Sequence, residues 1–232
     1  MAHDDETVLR VSGLTVVLDN RRVIDDLTFA VKRGEIFTIL GPNGAGKTVL
    51  LRALLGFLPY EGSISWAEGA TLGYVPQRLP HIRDIPINVT DFFALKGEAT
   101  PRARDLLPAV GLGADLAAQR MGDLSSGQFQ RILIAWGLAG DPQVLLFDEP
   151  TAGIDVGGEE TVYGLLARLH RERSLTMLLV THDLAMVHRF STTVLCLNKR
   201  AVCQGLPQAV LTPERLQQLY GSGLAYYQHT HE

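Results

Sequence analysis

Cysteine is scarce in this sequence: Cys196 and Cys203 are the only two in 232 residues. Two thiols in a chain of this size read as small buried hydrophobes on adjacent short strands rather than as a disulfide, which fits a reducing compartment. Long apolar runs are also missing. None approaches the ~20 residues a membrane helix needs, and the opening MAHDDETVLR is acidic where a secretory leader would be basic and then apolar. Nor is there an excess of positive charge. Lysine and arginine number 21 against 25 acids, intermixed along the chain for a net charge of −4, which argues against a nucleic-acid partner. No internal repeat or low-complexity tract interrupts it. What these absences leave is a soluble globular composition, 46% hydrophobic and 20% charged. The chain is long enough to bury a substantial core as one large domain, or as one domain with an inserted subdomain.

What is present begins with β-like alternation. LRVSGLTVVL and RRVIDDLTFAVKRGE, together with GSISW and ATLGYV, predict an antiparallel meander. EIFTIL is a short apolar run fit for a buried parallel strand; a glycine loop follows, then the helically patterned TVLLRALLGFL. Strand, loop and helix in that order begin an α/β unit. From about residue 78 to 140 the texture becomes helical, in TDFFALKG, TPRARDLLPAVGL and SGQFQRILIAWGLAG. In the last of these Phe129, Ile132, Leu133 and Trp136 share one face. QVLLFDEP and LTMLLVTHD then read as two more buried strands, each followed by a helix, the second capped by Asp183. TVLCLN and AVCQG form a terminal hairpin, and TPERLQQLYG a final capped helix. The expected organisation is therefore an α/β phosphate-loop core with an antiparallel β subdomain over 1–77, a helical subdomain over 78–140, and the core resumed over 141–232.

The chemistry concentrates in three places. The first is Gly41, Pro42, Asn43, Gly44, Ala45, Gly46, Lys47 and Thr48, which match G-x-x-x-x-G-K-[ST] between a predicted strand and a predicted helix. Glycines at 44 and 46 let consecutive backbone N–H groups turn inward, and the helix amino end adds partial positive charge. Lys47 supplies a point charge to the β- and γ-phosphates, and the Thr48 hydroxyl suits Mg²⁺. The second is VLLFDEPT, which delivers Asp148 and Glu149 to the carboxyl end of a strand, where α/β sheets place ligands. Asp148 suits the second sphere of Mg²⁺ or a water-mediated contact with it, and Glu149 can take a proton from an attacking water. His182 ends the next strand and is expected to orient that water or meet the γ-phosphate. Gln77, leaving the last strand before the helical block, can contact Mg²⁺ or the water.

The third is LSSGQFQ, Leu124 to Gln130. Ser125-x-x-Gln128 before an apolar helix is a capping box, each residue satisfying the other's backbone N–H. That explains Ser125 and Gln128 but not Gly127, since glycine inside a first helical turn costs about 1 kcal/mol relative to alanine. Close approach of a ligand to the backbone would explain it.

In this order and spacing, GPNGAGKT, YVPQ, LSSGQFQR, LLFDEPTAGID and VTHD resemble the ATP-binding-cassette ATPases, and the resemblance covers essentially the whole chain. It implies two cassettes head to tail, with ATP between the phosphate loop of one and the signature loop of the other. Ser125, Ser126, Gly127 and Gln128 would then face ATP held by a partner copy, and Asp155 would communicate across the dimer. The resemblance further implies separate integral-membrane permease subunits, with the cassette peripheral at the cytoplasmic face of the inner membrane. TAGIDVGGEE, LPHIRDIPINVTDFF and the tail LYGSGLAYYQHTHE are similar to cassettes of bacterial zinc/manganese importers, which an extracytoplasmic metal-binding protein serves. Cassettes for iron, haem or siderophores are the alternative. Three departures stand out. Ser126 replaces a glycine, Leu18 occupies the place of an adenine-stacking aromatic, and Trp136 stands where arginine is common. His229 and His231 supply too few ligands for a closed metal site.

Overall fold

The computed structural model describes residues 6–77, 79, 85–97, 100–150 and 156–221. Among the described residues nine strands form two sheets. Strands β1 (Thr7–Leu18) and β2 (Arg21–Lys32) are a long antiparallel hairpin. They are joined at Asp19 and Asn20, both with positive φ, as a tight turn matching strand twist requires. β4 (Glu61–Trp66) pairs with the other edge of β1, giving a three-stranded sheet in the order β2-β1-β4.

The second sheet has the order β5-β6-β7-β3-β8-β9. Strands β5 (Leu72–Val75), β6 (Val144–Asp148), β7 (Thr176–Thr181), β3 (Ile36–Leu40) and β8 (Thr193–Asn198) are parallel, and β9 (Arg200–Gly205) is an antiparallel edge. The stretch ATLGYV therefore does not extend the antiparallel meander; β5 pairs in parallel with β6, about 70 residues onward in sequence. Alternation along a strand reports which faces are buried, and four residues carry no mark of their partner.

Helices connect and cover the parallel strands: α1 (Lys47–Leu54), α2 (Val89–Ala94), α3 (Thr100–Ala109), α4 (Ser126–Leu138), α5 (Val156–Arg173) and α6 (Leu184–Phe190), with α7 (Pro207–Val210) and α8 (Pro213–Tyr220) closing the chain. The central strands are apolar on both faces, as helix-covered parallel strands must be. Leu145, Phe147, Met177 and Leu179 face one core, shared with α2, α3, α4 and α5. Val144, Leu146, Leu178 and Val180 face the other, shared with α1 and the antiparallel sheet. Phe29 of β2 stacks on Phe37 of β3 with centroids 5.3 Å apart, joining the two sheets. Within the helical block Trp136 packs on Phe92. The Lys96 ammonium sits 4.7 Å from the Trp136 ring centroid and donates to the Trp136 and Ala139 carbonyls, closing the carboxyl end of α4.

The cysteine expectation is corrected. Cys196 and Cys203 stand directly opposite each other on β8 and β9, with Cα atoms 4.9 Å apart, and are joined as a disulfide. Both are buried. Facing register positions on an antiparallel pair bring two Cβ atoms within bridging range, which a count of cysteines does not reveal.

Candidate functional site

The carboxyl ends of β3, β5, β6 and β7 open onto a cleft of about 480 Å³. Lys47, Thr48, Gln77, Glu149 and His182 line it, with Asn43, Gly44 and Gly46 from the loop after β3. Four segments remote in sequence thus deliver their polar side chains to one sheet edge.

The loop's backbone is built around glycine. Gly44 and Gly46 have φ of 80° and 98°. A Cβ on Gly46 would lie 2.7 Å from Ile24 Cδ1 and 3.0 Å from the Val23 carbonyl oxygen; one on Gly41 would meet the Leu197 carbonyl oxygen at 2.2 Å. The loop is therefore wedged between the β1–β2 hairpin and the β8–β9 hairpin. Lys199 N–H from the latter turn donates to the Ala45 carbonyl at 3.1 Å. These supports were not legible in the sequence, because Val23, Leu197 and Lys199 carry no motif. Val23, on β2, also lines the cleft. Leu18 instead packs half-buried against the core beside the antiparallel sheet.

Lys47 is 6% exposed and its ammonium donates to the Gly41 and Pro42 carbonyls at 2.8 and 3.0 Å. It also lies 3.7 Å from Glu149 Oε1. Burial pulls the Lys47 pKa down, opposed by the charges of Glu149 and Asp148. Thr48 Oγ1 donates to Asp148 Oδ1 at 3.1 Å. Asp148 is almost wholly buried, and loss of solvation pushes its carboxyl pKa up although the Thr48 hydrogen bond resists. A cationic site beside Asp148 would relieve that cost.

Glu149 has φ of 50°, a left-handed conformation uncommon for a non-glycine residue, and its N–H donates to the Val180 carbonyl of β7. Gln77 Nε2 donates to Glu149 Oε2 at 2.6 Å. His182 Nδ1 lies 3.4 Å from Glu149 Oε1, with its side chain 63% exposed. The carboxylate is thus gripped from both oxygens by residues leaving β5 and β7, which fixes its direction into the cleft.

The signature stretch lies apart from this cleft in the same chain. Ser125 Oγ accepts from Gln128 N–H at 3.2 Å, and Gln128 Oε1 accepts from Ser125 N–H at 3.0 Å, so the capping box forms in full. Gly127 follows within the first turn, and among the described residues, its own helical turn aside, nothing lies within 4 Å of where its Cβ would stand. No contact among the described residues requires glycine there. Asp155, His229 and His231 lie outside the described residues.

Comparison with known proteins agrees with this geometry. The profile of the ABC transporter family matches residues 24–152. The zinc import ATP-binding protein ZnuC of Yersinia enterocolitica is 40% identical over 97% of this chain and 91% of its own length. The protein of that name in Ruegeria pomeroyi is 39% identical over 96% and 89%. Among solved structures, an ABC transporter in an inward-facing conformation superposes with a TM-score of 0.81 at 29% identity, covering 92% of this chain and 88% of that one. CbiO1 of Clostridium perfringens, part of the transporter complex cbiONQ, gives 0.77 at 26% identity over 92% and 94%. With the phosphate loop, the acidic strand end and the signature helix in place along one continuous match, the chain belongs to the ABC transporter family as an ATP-hydrolysing cassette.

Proposed function

We propose that this cassette powers import of zinc through separate permease subunits, working from the cytoplasmic face of the inner membrane as a pair of identical copies. The observation that carries the substrate is the near full-length similarity to zinc import ATP-binding proteins from several bacteria. The ion is substrate and would be handed to the permease by an extracytoplasmic binding protein. Among the described residues no group of three or more His, Cys, Asp or Glu could hold it.

In the cleft, the backbone N–H groups of residues 43 to 48 and the amino end of α1 receive the ATP phosphates, and Lys47 turns from the loop carbonyls to the β- and γ-phosphates. Thr48, Asp148 and the Gln77 amide oxygen are hard oxygen donors, and the Gln77 Nε2 bond to Glu149 leaves that oxygen to act as an acceptor. This donor set suits Mg²⁺ better than a soft metal. When bound, the ion neutralises charge on the phosphates. Glu149 accepts the proton of the attacking water. Its αL backbone and its bonds to Gln77 and His182 aim the carboxylate before substrate arrives, so less reorganisation is needed in the transition state. His182 orients the water or meets the γ-phosphate.

The unoccupied space at Gly127 supports a role outside its own chain. Ser125, Ser126, Gly127 and Gln128 face the ATP of the partner copy, with the Gly127 N–H and Ser125 hydroxyl closest to phosphate. Asp155 links the two copies.

The test is reconstitution with the permease and binding protein. ATPase activity should rise with the zinc-loaded binding protein. Stimulation by manganese, haem or a siderophore and not by zinc would overturn the substrate assignment while leaving the ATPase reading intact.

A further inference from the structure

A second cleft, of about 430 Å³, lies at the opposite edge of the parallel sheet, where β3, β6 and β7 begin. Arg33, Asp141, Gln143, Arg173, Ser174 and Thr176 supply its polar lining. Arg33 comes from the β2–β3 turn and donates to Gln143 Oε1 at 3.3 Å. Arg173 is the last residue of α5, its Nη1 3.6 Å from Asp141 Oδ1. Arg102 reaches the same carboxylate oxygen from α3, with Nη2 at 2.5 Å. That nitrogen is buried, and the Asp141 carboxylate is the partner beside it. The Arg102 and Arg173 side chains are about two-thirds buried, whereas Asp141 is 70% exposed.

Two guanidinium groups from separate segments, those of Arg102 and Arg173, therefore meet on one exposed carboxylate, and a third, that of Arg33, lines the same cleft. An exposed ion pair is worth little, about 0–1 kcal/mol, so Asp141 is readily displaced toward water. A tetrahedral oxyanion offers acceptors in several directions and can meet forks arriving from different sides; a carboxylate satisfies one fork. The cleft's size is that of small-molecule sites.

We propose that this cleft binds the phosphoryl group of a small anionic ligand between Arg33, Arg102 and Arg173, in competition with Asp141. Because Arg102 belongs to the helical block and Arg33 and Arg173 to the sheet core, the bound anion ties the two together. The same three strands that carry the nucleotide cleft at their carboxyl ends begin at this site.

The test uses the full chain carrying Lys47→Ala, which removes the principal phosphate ligand of the nucleotide cleft. Inorganic phosphate and pyrophosphate are titrated separately by calorimetry and ³¹P line broadening, with citrate as the carboxylate control. Saturable binding of either phosphate probe, weaker for citrate, is expected. Preference between the two probes separates a free phosphate site from one for a phosphorylated metabolite. Adding Arg33→Ala or Arg173→Ala should weaken binding about tenfold each, and the corresponding lysine variants should fall between. Asp141→Asn should tighten binding about fivefold, a gain that damage to the fold would not produce. Thermal melts within a few degrees of the parent show that the variants fold. Absence of saturable phosphate binding, binding indifferent to both arginines, or no gain from Asp141→Asn overturns the proposal.

Discussion

Replacing Glu149 by glutamine tests the chemistry with little change of shape. A general base contributes about 10²- to 10⁴-fold, so its loss should raise the activation barrier by about 3 to 5.5 kcal/mol. The folded protein should tolerate the change. It loses the 3.7 Å approach to Lys47, but it also loses the like charge that helps push the neighbouring Asp148 carboxyl up. These terms oppose each other, leaving a net change within about 1 kcal/mol, or roughly 2–4 °C in Tm at this chain length. The proposed ATP contacts of residues 41 to 48 do not involve Glu149, so binding should persist and the proposed closed pair should accumulate. Phosphate release, nucleotide binding by calorimetry, a thermal melt and size exclusion with Mg-ATP measure the four quantities. Hydrolysis within a few-fold of the parent would refute Glu149 as the base. Loss of ATP binding or a Tm drop well beyond 4 °C would show that the carboxylate is there for structure.

Three further changes separate fold from function. Gly127→Asp places an acid in the first turn of α4, in open space and favourable to the helix dipole, so Tm should hold or rise slightly while ATPase activity is lost; Ser126→Gly should keep activity. Unchanged turnover in Gly127→Asp would mean that the helix cap is all this stretch provides. Gly46→Ala meets Ile24 and Val23 in a left-handed conformation and should cost at least about 2 kcal/mol in denaturant unfolding and abolish ATP binding. Asp148→Asn removes a buried charge whose folded pKa is raised. Above the carboxylate range the native state bears the cost of an ionised Asp148, so the variant should be more stable at pH 7 without nucleotide. That advantage should shrink as pH falls and the native carboxyl protonates. A variant less stable at pH 7 contradicts the burial argument.

The motif-bearing loops were legible because each needs particular residues at fixed local spacing. Gly44, Gly46 and Lys47 shape a phosphate loop wherever a strand precedes and a helix follows. Ser125 and Gln128 form their capping box from four consecutive residues. Asp148, Glu149 and His182 were readable as strand-end groups because the apolar runs before them are too short for helices and too apolar for edges. Legibility failed where partners are distant. Nothing in Leu72–Val75 says that its neighbour is Val144–Phe147 rather than the preceding strands. Cys196 and Cys203 bond because a hairpin register sets them face to face, a matter of one residue in the turn.

The sequence by itself determined the local conformations and the chemical repertoire: a phosphate-binding turn, two acids and a histidine at strand ends, and a capped helix carrying an otherwise costly glycine. Only the tertiary structure decided that Gln77 and His182 both grip Glu149, since β5, β6 and β7 must first lie side by side. Tertiary packing likewise wedged Gly41 and Gly46 against two hairpins and gathered Arg33, Arg102 and Arg173 at the far edge. The physical reason is the same throughout. Backbone preference acts over a few residues, whereas strand order and burial join segments a hundred residues apart, and sites are assembled from the latter.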